Sequence, residues 1–286
     1  MAKAFSCLTW NVENFGTNSR DSKGNLKPEF KAKVERVALE IKKHNPDVFA
    51  LFEVRSKDVF DEFMNHFTGY AFHITEGEQA QETLLGIRSG FSSFVTQRLE
   101  FKSGNAMLRP GVLLTLIIDN IHYVMLFVHL KSMNSPVGWG LRDDMFDKIR
   151  NLKTAINAAS GGPDKANLIV AGDYNTMGMN YTSGDKDISS NEEIARLKKL
   201  MSPGNYKMRM LTKNSEYTYF NGSTSGLIGN LDHVLASSHL EFKQFGGFDI
   251  KILGLTEFNH PSPEQDQWIK DYSDHGIMFF EVQKVI

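Results

Sequence analysis

NLIVAGDYNT, residues 167–176, is the stretch on which the reading of this chain turns. Its first five residues, apolar after Asn167 and rich in branched side chains, read as a strand. The run stops at Gly172 and Asp173, with Asn175 two residues further on. An Asp or Asn at the end of one strand is normally a turn residue, because its side chain bonds its own backbone. Here the arrangement recurs along the chain, which changes its meaning. Further strand-like runs lie at 5–10, 47–52, 91–95, 112–118, 123–129, 217–220, 231–236 and 277–282.

Helical spacing appears over 29–44, where Phe30, Val34, Val37, Ala38 and Ile41 fall on one face between Pro28 and Pro46. Two more helices are expected over 141–159 and 191–201. Strands outnumber helices, and the helices come at wide intervals. The expectation is an α/β fold of two sheets packed face to face with helices outside, in one domain spanning residues 1–286.

The bulk properties agree with a globular protein. The chain has 286 residues, a net charge of −2 and a single cysteine, Cys7. One cysteine excludes an internal disulfide framework and fits a reducing compartment. No apolar run approaches the ~20 residues that span a bilayer. The longest, 112–130, is broken by Asp119, Asn120 and His122. The start lacks a signal-peptide pattern, although a chain trimmed of a leader would look the same. The cytoplasm is the expected location, with no membrane and no obligate protein partner. Basic residues cluster at Lys31, Lys33, Arg36, Lys42 and Lys43, and again at Lys198, Lys199, Lys207, Arg209 and Lys213. Both clusters read first as solvated faces of helices and turns.

Six strands carry polar groups at an end: Asn11 and Glu13, Glu53, His129 and Lys131, Asp173 and Asn175, Asp232, and Asp274 with His275. Ends of neighbouring strands converge, so one shared site is expected. Its hard oxygen donors (Glu53, Asn11, Asp173, Asn175, Asp274) favour Mg²⁺ or Mn²⁺ over zinc. Two histidines beside carboxylates offer acid/base groups or donors to a phosphate. Cleavage of a phosphate ester needs this combination of metal, base and donors.

The segments TWNVENF (9–15), FEV (52–54), HLKS (129–132), AGDYNT (171–176), LDHVLAS (231–237) and SDHGIM (273–278) resemble, in order and spacing, the motifs of the endonuclease/exonuclease/phosphatase family. The resemblance implies a four-layer sandwich of two mixed β-sheets flanked by helices. It also implies roles. Glu53 would be the principal Mg²⁺ ligand, with Asn11 and Asp274 near the metal. Asp173 would orient the attacking water or protonate the leaving oxygen, and Asn175 would bond a phosphoryl oxygen. His275 would contact the scissile phosphate or act as base, aligned by Asp232, and His129 would be a second donor or acid. Strand alternation sets His233 on the face opposite Asp232, as a packing residue, and sets Lys131 on the face of His129. Lys131, Arg109 and Asn134 are candidate substrate contacts. His44, His66, His73, His122, His239 and His260 lie outside every motif and read as structural or surface residues.

Family members act on several phosphate esters, so the fold leaves the substrate open. GDYNT lacks the arginine-bearing continuation of inositol polyphosphate phosphatases, and Phe52 stands where those enzymes usually carry glutamine. A nuclease is therefore expected, with nucleic acid, DNA foremost, as partner. The alternatives are a phosphatase or phosphodiesterase acting on a phosphoinositide, lipid or nucleotide, and a non-catalytic binding domain. Gly276, where many relatives carry a longer side chain, marks a departure at the floor of the site.

Overall fold

Two six-stranded sheets form the centre of the computed structural model, which describes residues 2–183, 186–202, 204 and 206–285. The chain begins with β1 (Lys3–Phe15), α1 (Pro28–His44), β2 (Val48–Val54), α2 (Lys57–His66), β3 (Tyr70–Ile74) and β4 (Glu82–Arg88). It continues with β5 (Ser92–Arg98), β6 (Gly111–Ile118), β7 (Ile121–His129), α3 (Pro136–Ala159), β8 (Asn167–Asp173) and α4 (Ser190–Met201). The last part holds β9 (Met208–Met210), β10 (Tyr219–Phe220), β11 (Ile228–Gly229), β12 (Asp232–Ser237), β13 (Ile250–Leu253), α5 (Pro263–Asp271) and β14 (Ile277–Gln283). One sheet has the order β13-β14-β1-β2-β4-β3 and the other β5-β6-β7-β8-β12-β9, while β10 and β11 form a separate ribbon.

Alternation along the strands sorts the apolar residues into three layers. Phe5, Cys7, Ala50 and Phe52 of the first sheet meet Leu114, Met125, Phe127, Ala171 and Val234 of the second. The opposite face of the first sheet, with Leu8, Trp10, Phe49 and Leu51, packs on Val34, Val37 and Ile41 of α1, Phe63 of α2 and Trp268 of α5. The outer face of the second sheet packs on Met145, Ile149 and Leu152 of α3 and Leu197 of α4. The result is helices, sheet, sheet, helices, the four-layer sandwich expected. Among the described residues, no helix is long and apolar enough to cross a membrane.

Local sequence explains the boundaries. Pro28 opens α1, and Asn45 closes it in the left-handed conformation, φ +47°. Ser189 and Glu192 form a reciprocal capping box at α4. The structure also holds elements the sequence reading left out: α2, α5 and the strands β3, β4, β9, β11 and β13. The expected strand at 217–220 is reduced to the two residues of β10, and α3 starts five residues before the expected 141.

Asp47 ties the first sheet together. Its carboxylate accepts from Ser6 N at 2.9 Å, Lys3 Nζ at 2.8 Å and Arg88 Nε at 2.9 Å, joining the starts of β1 and β2 to the end of β4. Burial alone would raise its pKa, but bonds from Lys3 and Ser6 outweigh that and hold the carboxyl below its ordinary value. A depressed carboxyl contributes stability at neutral pH that is lost as pH falls below the ordinary carboxylate range. Asp47→Ala is expected to cost about 1–3 kcal/mol in urea denaturation at pH 7, since it strands buried donors. The difference from the parent should shrink as pH falls through the carboxylate range.

Candidate active site

Strand direction brings the motif residues to one edge of the sandwich. β1 and β2 are parallel, as are β7 and β8, so Asn11, Glu53, His129 and Asp173 all stand at C-terminal ends. β12 and β14 run antiparallel to these neighbours, so Asp232, and Asp274 with His275 just ahead of β14, stand at N-terminal ends on the same edge. In register, Asp173 sits opposite both His129 and Asp232. Asn11, His129, Asp173 and Asp232 share the parity of the inter-sheet core residues on their strands, so the site caps the buried layer between the sheets.

Glu53 departs from alternation. Phe52 faces the inter-sheet layer and Val54, two residues on, faces the helices. The break lies at Glu53, held at φ +63°, where the register between β2 and β4 shifts. Asn175 is also left-handed, φ +50°. Such backbone costs of order 1–3 kcal/mol per residue and gathers at functional sites. Gly172 makes the close packing possible. A Cβ there would lie 2.0 Å from Val128 O and 2.8 Å from Phe52 Cζ, and its φ of +143° suits glycine.

The side chains form a connected polar network. Asn11 Nδ2 donates to Glu53 Oε1 at 3.2 Å and to Asp173 Oδ2 at 3.0 Å. Glu53 Oε2 accepts from Asn14 N at 3.0 Å. Asp173 Oδ1 accepts from Asn175 N at 2.9 Å, and Asn175 Nδ2 donates to Leu130 O at 3.2 Å. His129 Nε2 lies 3.5 Å from Asp173 Oδ2 and 3.7 Å from Glu53 Oε1. His275 Nδ1 meets Asp232 Oδ2 at 2.8 Å, and its Nε2 lies 4.0 Å from Asp173 Oδ2. Asp274 is half-buried beside Glu13 and Glu53.

This crowding separates the proton affinities. Burial, then the Asp232 charge, pushes the Asp173 carboxyl up to about 7. Burial, with Glu13 and Glu53 adding to it, carries Asp274 up to about 6. Burial disfavours a charged His275, yet Asp232, Asp173 and Asp274 overcome it and raise the imidazole to about 10. His129 goes the other way: burial, Arg109 and His275 hold it well below its ordinary value. One histidine is thus a cation and the other neutral near pH 7.

Three acidic or imidazole groups, Asp173, Asp232 and His275, bring ligand atoms within 4.8 Å of one another. His275 and Asp232 are already bonded to each other, so this trio is arranged to pass or hold a proton. Glu53, Asn11 and Asp274 offer oxygen donors in a strongly negative corner, which fits a hard divalent cation.

Of the substrate candidates, Arg109 donates through Nε to His129 O at 3.2 Å and through Nη2 to Leu130 O at 2.6 Å. Its charge still acts on Asp173 and Glu53. Lys131 is half-buried beside it, and Asn134 is exposed on the rim of a groove of about 190 Å³. His233 points away from Asp232, with Nε2 at 2.9 Å from Thr176 Oγ1 and Nδ1 at 3.3 Å from Lys213 Nζ. The second basic cluster is largely consumed: Lys207 pairs with Asp164 at 2.6 Å, Arg209 with Asp249 at 2.8 Å, and Lys213 donates to Asp232 O and Asn230 Oδ1 beneath the site.

Sequence reasoning missed several supports. Thr218 Oγ1 accepts from Asp232 N at 3.0 Å, Ser273 Oγ donates to Asn11 O at 2.6 Å, and Tyr219 sets its ring edge-on to His275 at 5.1 Å. Ser273 opens the segment SDHGIM, a usable signal to which no role was given; nothing local marked Thr218 or Tyr219. Gly276 has a packing reason, since a Cβ would meet Ile252 Cγ2 at 2.8 Å.

Comparison with known proteins agrees with this architecture. A truncated TDP2 from Caenorhabditis elegans superposes with a TM-score of 0.62 at 17% identity, over 98% of this chain and 97% of that one. The human Nocturnin catalytic domain with bound sulfate gives 0.62 at 18% identity, over 98% and 93%. The 3′ phosphatase NExo from Neisseria, bound to a product DNA hairpin, gives 0.57 at 14% identity, over 98% and 100%. No curated protein sequence matches this chain. The model of the Endonuclease/Exonuclease/phosphatase family matches residues 8–275, and the chain belongs to that family.

Proposed function

We propose that this protein is a Mg²⁺- or Mn²⁺-dependent phosphodiesterase that hydrolyses nucleic-acid backbones, DNA foremost. The observation that carries this reading is the pairing of a cationic His275, fixed by Asp232, with Asp173 pushed up to about 7, at an edge rich in oxygen donors. Family members are in general hydrolytic phosphoesterases. NExo bound to product DNA and Danio rerio TDP2 complexed with a single-strand DNA product favour the nucleic-acid reading. Residues 1–286 are taken as one domain, because β14, late in the chain, lies between β13 and β1 in the first sheet.

The residues divide the work. Glu53, Asn11 and Asp274 would hold the metal, which when bound neutralises phosphate charge and acts as a Lewis acid. A charged His275 donates from Nε2 to a phosphoryl oxygen, while Asp232 holds its other nitrogen. Asp173, with a proton affinity near neutrality, is suited to align water or to carry the proton between nucleophile and leaving oxygen. His129 is a neutral second donor, and Asn175 a neutral amide beside it. Lys131, Arg109 and Asn134 line the approach for the phosphate backbone.

Two measurements test the assignment. Chelation by EDTA is expected to abolish activity, with recovery on Mg²⁺ or Mn²⁺ and poor recovery on Zn²⁺ alone. Full activity in excess chelator overturns the metal assignment. On long DNA or RNA the Michaelis constant should rise steeply between about 50 and 200 mM salt, as cations that neutralise several phosphates release counterions. A flat response, with faster turnover of a soluble inositol phosphate or terminal phosphate monoester, overturns the nuclease assignment.

A further inference from the structure

Lys27, Lys33 and Arg36 border a concavity of about 380 Å³, with Asn14 and Asn18 on its other wall. Glu29 is the single carboxylate among the lining residues. Glu29, Lys33 and Arg36 follow the helical spacing of four and then three residues, so α1 presents them as one stripe; Lys27 sits at its N-cap. The facing wall is the loop after β1, which carries Asn14 and Asn18 in the left-handed conformation, φ +47° and +54°. Asn14 N also donates to Glu53 Oε2, so this wall is fixed to the proposed metal corner.

These cations do not behave as a solvated face. All three are half-buried, and none of them forms an ion pair among the described residues. Lys33 Nζ lies over the Phe15 ring at 5.8 Å, which holds the ammonium in the concavity. Arg36 makes only long bonds, at 3.4 Å, to Asp271 O. Burial lowers the pKa of Lys33, and the charges of Glu13 and Asp274 counter this, so the ammonium lies within electrostatic reach of the active site. Arg36 repels the Lys33 ammonium, and an anion between the two relieves that repulsion, with Lys27 on the same wall.

We propose that α1 and the loop after β1 form a second phosphate-binding subsite, which holds the phosphate neighbouring the scissile one on the same strand. The subsite rests on the nucleic-acid reading above and extends it: the enzyme measures a distance between two phosphates. The second phosphate is either the next internal diester or a terminal phosphate.

The test compares three substrates in the presence of Mg²⁺: thymidylyl-thymidine with one phosphate, trithymidylate with two diesters, and the dinucleotide carrying a terminal phosphate. The wild type is expected to favour a two-phosphate substrate over the one-phosphate substrate by at least about tenfold in kcat/KM, a magnitude within reach of charge neutralisation by two lysines. The double variant Lys27→Gln/Lys33→Gln should lose that preference, and Lys27→Arg/Lys33→Arg should keep it. A gain confined to trithymidylate identifies an internal diester as occupant, and a gain with the terminal phosphate identifies a monoester. No preference in the wild type, or an equal loss on all three substrates in the Gln variant, overturns the subsite alone. A wild type that cuts long DNA but none of the three overturns the subsite alone, since two phosphates then do not suffice, and one that cuts neither overturns the nuclease reading and the subsite with it. Thermal melts of both double variants separate these results from misfolding.

Discussion

His275→Ala is expected to lower kcat at least about a hundredfold, the range for a group that donates to or stabilises a transition state. His275 belongs to none of the three apolar layers and its ring meets Tyr219 at the polar edge, so the fold should persist in circular dichroism. Asp232→Asn is more diagnostic. Burial works against a charged His275, and Asp232 is the main counterweight, so its neutralisation drops the imidazole from about 10 towards its ordinary range or below. If the working form carries a protonated imidazole, activity is present below that pKa and lost as pH rises through it. The alkaline limb of the rate profile should therefore move to lower pH in Asp232→Asn. An unmoved limb would assign the proton to another group. His233→Ala serves as the control: it is fully buried on the opposite face, and its loss should lower stability more than kcat. A folded His233→Ala as inactive as His275→Ala would overturn the assignment of faces.

Arg142→Met is expected to cost about 3–5 kcal/mol, the size for stripping one partner from a buried ion pair. Arg142 is fully buried in α3 and bonds Glu193 of α4 through Nε at 2.7 Å and Nη2 at 3.0 Å. Its remaining donors hold Lys131 O at 3.1 Å, Met133 O at 2.7 Å and Gly178 O at 2.8 Å, while Glu193 accepts from Gly178 N at 2.7 Å. One ion pair thereby clamps the loop after β7, with Lys131 and Asn134, to the loop after β8, with Asn175. Arg142→Met/Glu193→Leu should regain much of the stability, since no charge is left buried alone. Its kcat should stay low, because neither loop regains its carbonyl anchors. Urea denaturation and steady-state kinetics on the three proteins distinguish the two contributions. Recovery of both quantities together would show that the clamp acts through stability only.

The residues at the strand ends were legible because β7, β8, β12 and β14 are short and regular, so a polar residue at the end of each stands out. Parity alone correctly separated Asp232 from His233. Glu53 shows the limit: alternation would turn it towards the helices, and the left-handed backbone that redirects it leaves no mark in a glutamate. β4 was missed because Gly86 interrupts its apolar run. The glycine is required there, since a Cβ would lie 2.3 Å from the Phe49 ring. α2 was missed because its ten residues are too few to show a long period, although Ser56 caps it and Val59 and Phe63 face the core. The basic clusters were read alike as solvent-facing, but sequence carries no record of which lysine meets a carboxylate. Lys207 and Arg209 do, at Asp164 and Asp249, whereas Lys33 and Arg36 do not among the described residues.

The insertion of β14 between β13 and β1 has a consequence for synthesis. Ser273 Oγ bonds Asn11 O across 262 residues, and Trp10 Nε1 donates to His275 O at 3.1 Å across 265. A chain emerging from the ribosome delivers β1 long before the His275 segment. Until then β1 lacks one of its two neighbours, and the imidazole that completes the polar edge has not been made. The polar edge is whole only once β14 takes its place between β13 and β1.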